Sequence, residues 1–227
     1  MRFDTEKGNY PYVDFYGKRM YFPKDYEFEK EGDRYYLTNI VECDQYQGSP
    51  HLYVDGTHRI YKDDVIVDAG VAEGNFALTY IDIVSKAYLI ESDKRWLDAL
   101  ELTFKPYKQK VVFVPYNLSD EDTKNSVTLD TIIKNNRIDF IKMDIEGAEA
   151  KALLGGIETL KNNDLRLSVC TYHRKRDLEY VHFILESLGY EVKHTEGYMF
   201  FLYDNNIDET LDFRCGVIHA SSKVKKR

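Results

Sequence analysis

The sequence predicts an α/β protein: a mainly parallel sheet with helices on both faces, preceded by an aromatic-rich β extension. Three observations predict it. From Asp64 onward, short apolar runs alternate with amphipathic ones, the pattern of strands and crossover helices in turn. The stretch "DDVIVDAGVAEGNFAL", residues 63–78, runs from an apolar strand through a glycine turn into a helix. The length, 227 residues, suits one sizeable domain and is short for two.

The elements follow in order. In the first sixty residues, "YVDFYGKRMYFPKDY" alternates like a hairpin, and "EKEGDRYYLTNIVECDQYQGSPHLYV" is aromatic and irregular. Sixty residues alone make a marginal core, so residues 1–60 read as an extension packed on the domain, over an acceptor pocket, and not as an independent unit. Residues 61–222 form the domain proper. "VIVDAG" is its first strand, an unbroken apolar run of the kind buried on both faces, and "GNFALTYIDIV" opens its first helix. "KAYLIESD" is the second strand, with a helix through "KRWLDALELTF"; "KVVFVPYNL" is the third. "VTLDTIIKNN" is helical, with Asp130 supporting its early turns. "IDFIKMD" is the fourth strand, and the helix "AEAKALLGGIETLKNN" bends or ends at Gly155–Gly156. "LRLSVCTYH" is the fifth strand, and "DLEYVHFILESLGY" is a helix closed by Gly189. "YEVKHT", "YMFFLYD" and "CGVIHAS" supply two or three closing strands, the last resembling an antiparallel edge.

Composition narrows the function. The net charge of −8 repels nucleic acid and acidic membranes. Only the tail "KVKKR", residues 223–227, is basic, and it reads as a solvated terminus. Cys43, Cys170 and Cys215 are odd in number and far apart, which speaks against a disulfide framework or structural zinc. No apolar run is long enough to insert in a membrane, and "MRFDTEKGNY" lacks the pattern of a signal peptide, so the expected location is cytoplasmic. The 19 tyrosines fill partly exposed strand positions and also suit a carbohydrate ligand, since each ring offers an apolar face and a hydroxyl.

The glycine turn separates candidate ligands. A dinucleotide site wants G-x-G-x-x-G; in Gly70-Val71-Ala72-Glu73-Gly74 the middle glycine is missing, and a pyrophosphate would be crowded. The nucleotide-triphosphate loop G-x-x-x-x-G-K-[ST] is absent as well. The spacing D-x-G-x-x-x-G suits S-adenosylmethionine, which carries no phosphate. Asp68 and Glu73 would accept from its ammonium, and Gly70 would admit the ligand to the backbone, with Gly74 completing the turn. Asn75 and free helix N–H groups would hold its carboxylate. Glu91 ends the second strand 23 residues after Asp68, the distance at which an acid accepts from ribose hydroxyls. Asn117 is placed either to read an adenine edge or to satisfy its own loop.

With "VTLDTIIKNNRIDFIKMDIEGAEAKALLGGIETL" a more specific pattern is reached. It resembles the FkbM family of S-adenosylmethionine-dependent methyltransferases, marked by a D-x-G-A-x-x-G turn, a "tLD" before the fourth strand and K-x-D-[IV]-E-G-x-E…L-x-G. The resemblance runs from Ser49 to Ser222; Val71 stands where the family has alanine. It implies a Rossmann-like class I methyltransferase sheet of seven strands, and O-methylation of a hydroxyl on a sugar or polyketide-type product.

An alcohol is a poor nucleophile, so the protein must align it with the sulfonium methyl and receive its proton. The strand ends "MDIEGAE" and "CTYHRKRD" carry the richest clusters of ionisable groups. His173 is the first choice of base, with Asp144 and Glu146 pointing to the same site; Asp144 is equally suited to orienting the cofactor. The same three residues could hold Mg²⁺ or Mn²⁺, although no spacing demands a metal and the metal-free reading is preferred. Glu149 reads as a helix-start acid. His51 either faces the acceptor or lies on the surface; His58, His182, His194 and His219 have no supporting cluster. "HRKR" is a solvated loop or, more sharply, a grip by Arg174 and Arg176 on an anionic acceptor. The combined expectation is an O-methyltransferase of a nucleotide-linked or anionic sugar, in surface polysaccharide assembly. The alternatives are a small non-sugar product as acceptor, or a non-catalytic binding module.

Overall fold

The computed structural model describes residues 2–4, 7–27, 44–200 and 212–222. The tail 223–227 and Cys43 lie outside the described residues. Five parallel strands make the frame: β4 (Val65–Ala69), β5 (Lys86–Ile90), β6 (Val111–Val114), β9 (Phe140–Met143) and β10 (Arg166–Cys170). With β11 (Tyr190–His194) and β14 (Val217–Ser222) they form a seven-stranded sheet of order β11-β14-β10-β9-β4-β5-β6. The chain leaves β4 toward β5 and β6, then returns to β9 on its other side. That reversal opens a crevice at the carboxyl ends of β4 and β9, where open α/β sheets bind ligands.

Alternate residues of the strands feed two cores. Val67, Ile141 and Leu167 join Leu129, Leu153, Leu160 and Val181 on one face, which is covered by α3 (Leu129–Ile133), α4 (Glu149–Leu154), α5 (Ile157–Asn162) and α6 (Asp177–Ser187). Ile66, Leu89 and Phe140 join Phe76, Leu78, Leu100 and Phe104 on the other, under α1 (Asn75–Tyr80) and α2 (Lys94–Thr103). This second face also takes Met20, Phe22 and Tyr53 from the N-terminal part. There β1 (Arg2–Asp4), β2 (Tyr10–Phe15) and β3 (Lys18–Tyr21) make a small antiparallel sheet. Tyr16 and Gly17, both at positive φ, form the tight hairpin turn that the alternation predicts. Tyr21 N–H donates to Thr103 Oγ1 at 3.0 Å, tying β3 to α2.

Three expectations change. The antiparallel strand is not an edge: β14 runs between β10 and β11, and β11 is the edge. Of "YMFFLYD", Met199–Phe200 form β12, which pairs with β13 (Phe213–Arg214) in a separate two-stranded sheet; residues 201–204 lie outside the described residues. The third strand stops at Val114 because Pro115 has no N–H for the ladder, and β7 (Asn117–Leu118) pairs with β8 (Ser126–Val127) instead. Asp130 lies in the first turn of α3, as expected, and also serves a second helix. Its carboxylate accepts from Glu158 N and Thr159 N at 3.1 and 2.7 Å, capping α5, while Thr128 caps α3. The expected break at Gly155–Gly156 is present: a Cβ on Gly155 would lie 2.0 Å from the Ser119 carbonyl oxygen, so the chain can pass there only without one.

Candidate active site

The crevice at the strand ends is a cleft of about 730 Å³. Gly70, Val71, Ala72, Glu73 and Asn75 form one wall, and Glu91, Trp96 and Asn117 continue it. His51, Tyr53, Lys142, Asp144 and Tyr172 form the opposite wall, with Met199 and Phe200 at the rim.

The glycine turn is shaped from below. Lys142 and Asp144 alternate along β9 and its end on the side that Asp68 shares on β4. Lys142 Nζ meets Asp68 Oδ1 at 3.1 Å and donates to the Gly70 and Ala69 carbonyls at 2.5 and 3.4 Å. All three ammonium protons are thereby committed to the turn. Burial works against the Lys142 charge, but Asp68 and Asp144 outweigh it and raise its pKa. From the far side, Glu91 accepts from Ala72 N at 3.1 Å and from Asp93 N at 2.8 Å, joining the turn to the start of α2.

Asp144 is the hub of the opposite wall. Its Oδ2 accepts from Tyr53 Oη–H at 2.6 Å and lies 3.4 Å from His51 Nε2. Its Oδ1 accepts from Tyr172 Oη–H at 3.0 Å and lies 3.2 Å from His173 Nε2. Burial alone would raise the Asp144 pKa; hydrogen bonds from His173 and His51 and the field of Lys142 hold it well below the usual carboxylate range. The other His173 nitrogen, Nδ1, is 3.1 Å from Glu149 Oε1. Burial lowers the His173 pKa, but the two carboxylates reverse this and lift it to about 10. Arg214 Nη1 donates to the Tyr172 and His173 carbonyls at 2.7 and 2.9 Å, fixing the loop that carries both rings.

The family profile of the methyltransferase FkbM domain matches residues 39–192, well over half of the chain and including both walls of this cleft. The chain belongs to the FkbM methyltransferase family. Its sheet is correspondingly similar to that of methyltransferase FkbM from Methylobacillus flagellatus KT, at 22% identity and a TM-score of 0.61 over 75% of this chain and 47% of that one. This chain thus spans just under half of that protein. The YcgJ protein of Bacillus subtilis shares the fold at 11% identity and a TM-score of 0.50, over 74% and 95% of the two chains. No curated protein matches. Membership makes this an S-adenosylmethionine-dependent methyltransferase fold. Among the described residues no helix is long and apolar enough to cross a membrane.

Within the FkbM domain, Gly70, Glu73, Asn75, Glu91, Asn117, Asp144, Glu146 and His51 line the cleft. Several expected arrangements are corrected. Asp68 is fully buried against Lys142 and Ala77 N, so it shapes the turn from beneath and does not face a ligand. Gly74 lies against α2, where a Cβ would meet Leu100 and Phe104 at 2.8 and 2.9 Å. Glu146 reaches the same His173 nitrogen as Asp144, with Oε2 at 3.7 Å, but from a left-handed backbone, φ 57°, and with a side chain that is 93% exposed. His173 faces two carboxylates, which lift its pKa to about 10 and so favour its charged form over the free lone pair a base needs. Glu149 joins Asp144 and Glu146 beside His173; it is buried and also accepts from Ile145 N at 2.9 Å. Arg176 is bound to Glu179 and stacked on Tyr180 along its own helix, away from the cleft, whereas Arg174 lies against Gly147 beside it. The remaining histidines do have partners: His58 stacks on His219, and His182 lies 3.2 Å from His194.

Sequence reasoning missed Lys142, Tyr53, Tyr172 and Asp44. For Lys142 a signal was present, since the spacing of "KMD" puts Lys142 and Asp144 on one side of a strand. For Tyr53 and Asp44 there was none, because an irregular segment has no periodicity to orient it.

Proposed function

We propose that this protein transfers a methyl group from S-adenosylmethionine to a hydroxyl of a carbohydrate, a nucleotide-linked or otherwise anionic sugar, in surface polysaccharide assembly. One observation carries the reading: a single cleft runs from the glycine turn and Glu91 to the Asp144 hub. In this reading Gly70, Glu73 and Asn75 hold the amino-acid part of the donor, with Asp68 and Lys142 setting the turn from below. Glu91 accepts from the ribose, and Asn117 and Trp96 flank the adenine. The acceptor occupies the space before His51, Tyr53 and Tyr172, whose rings and hydroxyls match a sugar's apolar face and polar rim. Arg174, beside the cleft, grips its anionic group.

Residues 1–60 act here as an extension of the 61–222 domain, not a separate unit. Support comes from His51 and Tyr53, which that segment contributes to the acceptor wall. A nucleotide-linked acceptor fits a cytoplasmic enzyme.

The test begins with calorimetric titration of S-adenosylhomocysteine into the wild type and Glu91→Ala. Binding in the micromolar range that Glu91→Ala abolishes supports the donor assignment; a folded wild type that binds none removes it. Methyl transfer to a panel of uridine- and guanosine-diphosphate sugars follows. Arg174→Ala should raise the acceptor KM about tenfold or more, with Arg176→Ala unchanged. No turnover of any sugar would leave a methyltransferase of a non-sugar product.

A further inference from the structure

The hub around Asp144 can be solved for its protons. A carboxylate offers about four lone-pair positions. Asp144 presents one side to Tyr53 and His51 and the other to Tyr172 and His173, so all are taken. Both nitrogens of His173 face carboxylates, at 3.2 and 3.1 Å, and these lift its pKa to about 10. Neither group can therefore receive a proton from an incoming hydroxyl.

His51 differs. Burial, with Asp144 beside them, pushes both phenols up, and each commits its single proton to Asp144. Facing His51 Nε2 are thus the Tyr172 oxygen at 3.1 Å, the Tyr53 oxygen at 3.3 Å and Asp144 Oδ2 at 3.4 Å. The Cys170 sulfur lies at 3.7 Å. These oxygens can only accept, so Nε2 carries the hydrogen. The other nitrogen, Nδ1, is buried and without a hydrogen-bond partner; in the tautomer with hydrogen on Nε2 it bears the lone pair. The charged group nearest to it is Asp44, with Oδ2 at 3.8 Å in the same cleft wall. Burial raises the Asp44 pKa, so its charge is held there at a cost.

We propose that His51 is the catalytic base, taking the acceptor's hydroxyl proton on Nδ1 while Asp144 holds its Nε2–H. This rests on the O-methyl transfer reading above. In the step, the acceptor oxygen bonds to the methyl carbon as the carbon–sulfur bond breaks. The electron pair passes to sulfur, giving the neutral thioether S-adenosylhomocysteine, and the proton goes to His51 and then to solvent. Asp144 is the positioning residue, and His173 with Glu149 keeps it anionic and fixed. The acidic and cationic groups around His51 are Asp44, Asp144 and, behind Asp144, Lys142 and His173.

Two measurements test it. In the full-length protein labelled with ¹⁵N-histidine and saturated with S-adenosylhomocysteine, with His51→Gln for assignment, His51 should show hydrogen on Nε2 and none on Nδ1. A protonated Nδ1 in the neutral ring overturns the assignment, and this readout needs no acceptor. In turnover of the sugar panel, His51→Ala should lose about 10²–10⁴-fold in kcat, keep S-adenosylhomocysteine affinity within about threefold, and lose the acid limb of the wild-type pH profile. Added imidazole should restore part of its rate. Transfer by His51→Ala within about threefold of wild type sinks the proposal while leaving the methyltransferase reading standing. A wild type that binds no S-adenosylhomocysteine sinks that reading instead.

Discussion

At the scale of residues, ionisable groups are arranged in a line: Glu149, His173, Asp144, His51. Glu149 and His51 are buried and His173 and Asp144 half-buried, so an unpaired charge among them would be costly. His173→Gln should lower stability on the order of 3 kcal/mol at pH 7. The sign of its pH dependence is fixed by the raised pKa. A group at about 10 when folded and 6.5 when unfolded contributes its full stabilisation below about pH 6.5 and loses it as pH rises through 10. Urea unfolding of wild type and His173→Gln should therefore show a gap that narrows from pH 7 to pH 10.5; a constant gap would mean His173 is not charged. The sequence made His173 and Asp144 visible as candidates. It did not reveal which of the two histidines holds a free lone pair, because that depends on the tyrosines and carboxylates packed around each ring.

At the scale of elements, the glycine turn joins β4 to α1, but its shape depends on β9. A Cβ on Gly70 would lie 1.7 Å from the Asp144 carbonyl oxygen, and φ is 76°. Gly70→Ala should cost about 3 kcal/mol or more and abolish S-adenosylhomocysteine binding; calorimetry on a variant that still folds would decide it. Lys142→Met strands a buried Asp68 carboxylate and frees two turn carbonyls. We expect at least a tenfold loss of S-adenosylhomocysteine affinity. The double variant Asp68→Asn with Lys142→Met should recover stability relative to Lys142→Met alone without recovering affinity. Recovery of both would mean that the lysine serves folding only. These elements were legible as strand, turn and helix because their periods are local. The linkage between them was not, because Lys142 lies 72 residues beyond the carbonyl it holds.

At the scale of the whole molecule, the N-terminal sheet and the segment at 44–58 cover the face of the main sheet that α1 and α2 leave partly open. Phe22 is fully buried and meets Tyr26 and Trp96, and Trp96 lines the cleft. Phe22→Ala should destabilise by about 3–5 kcal/mol and weaken S-adenosylhomocysteine binding through Trp96. Thermal melts with and without the ligand would separate the two effects. An unchanged ligand-induced shift would mean that the extension stabilises the fold without shaping the site. The hairpin was readable from alternation. The insertion of β14 between β10 and β11 was not, because strand order is a choice among partners of similar hydrophobicity.

The sequence by itself determined the sheet's parallel frame, the glycine turn that opens the site, the break at Gly155–Gly156 and the family-bearing stretch around Asp144. Each is written in neighbouring residues, where period, turn chemistry and the need for a missing Cβ act over a few positions. Only the tertiary structure decided that Asp68 faces inward, that His173 is a cation and that His51 meets Asp144. Protonation and tautomer are set by burial and by charges within a few ångströms, and at His51 those partners come from 2 to 121 residues away along the chain.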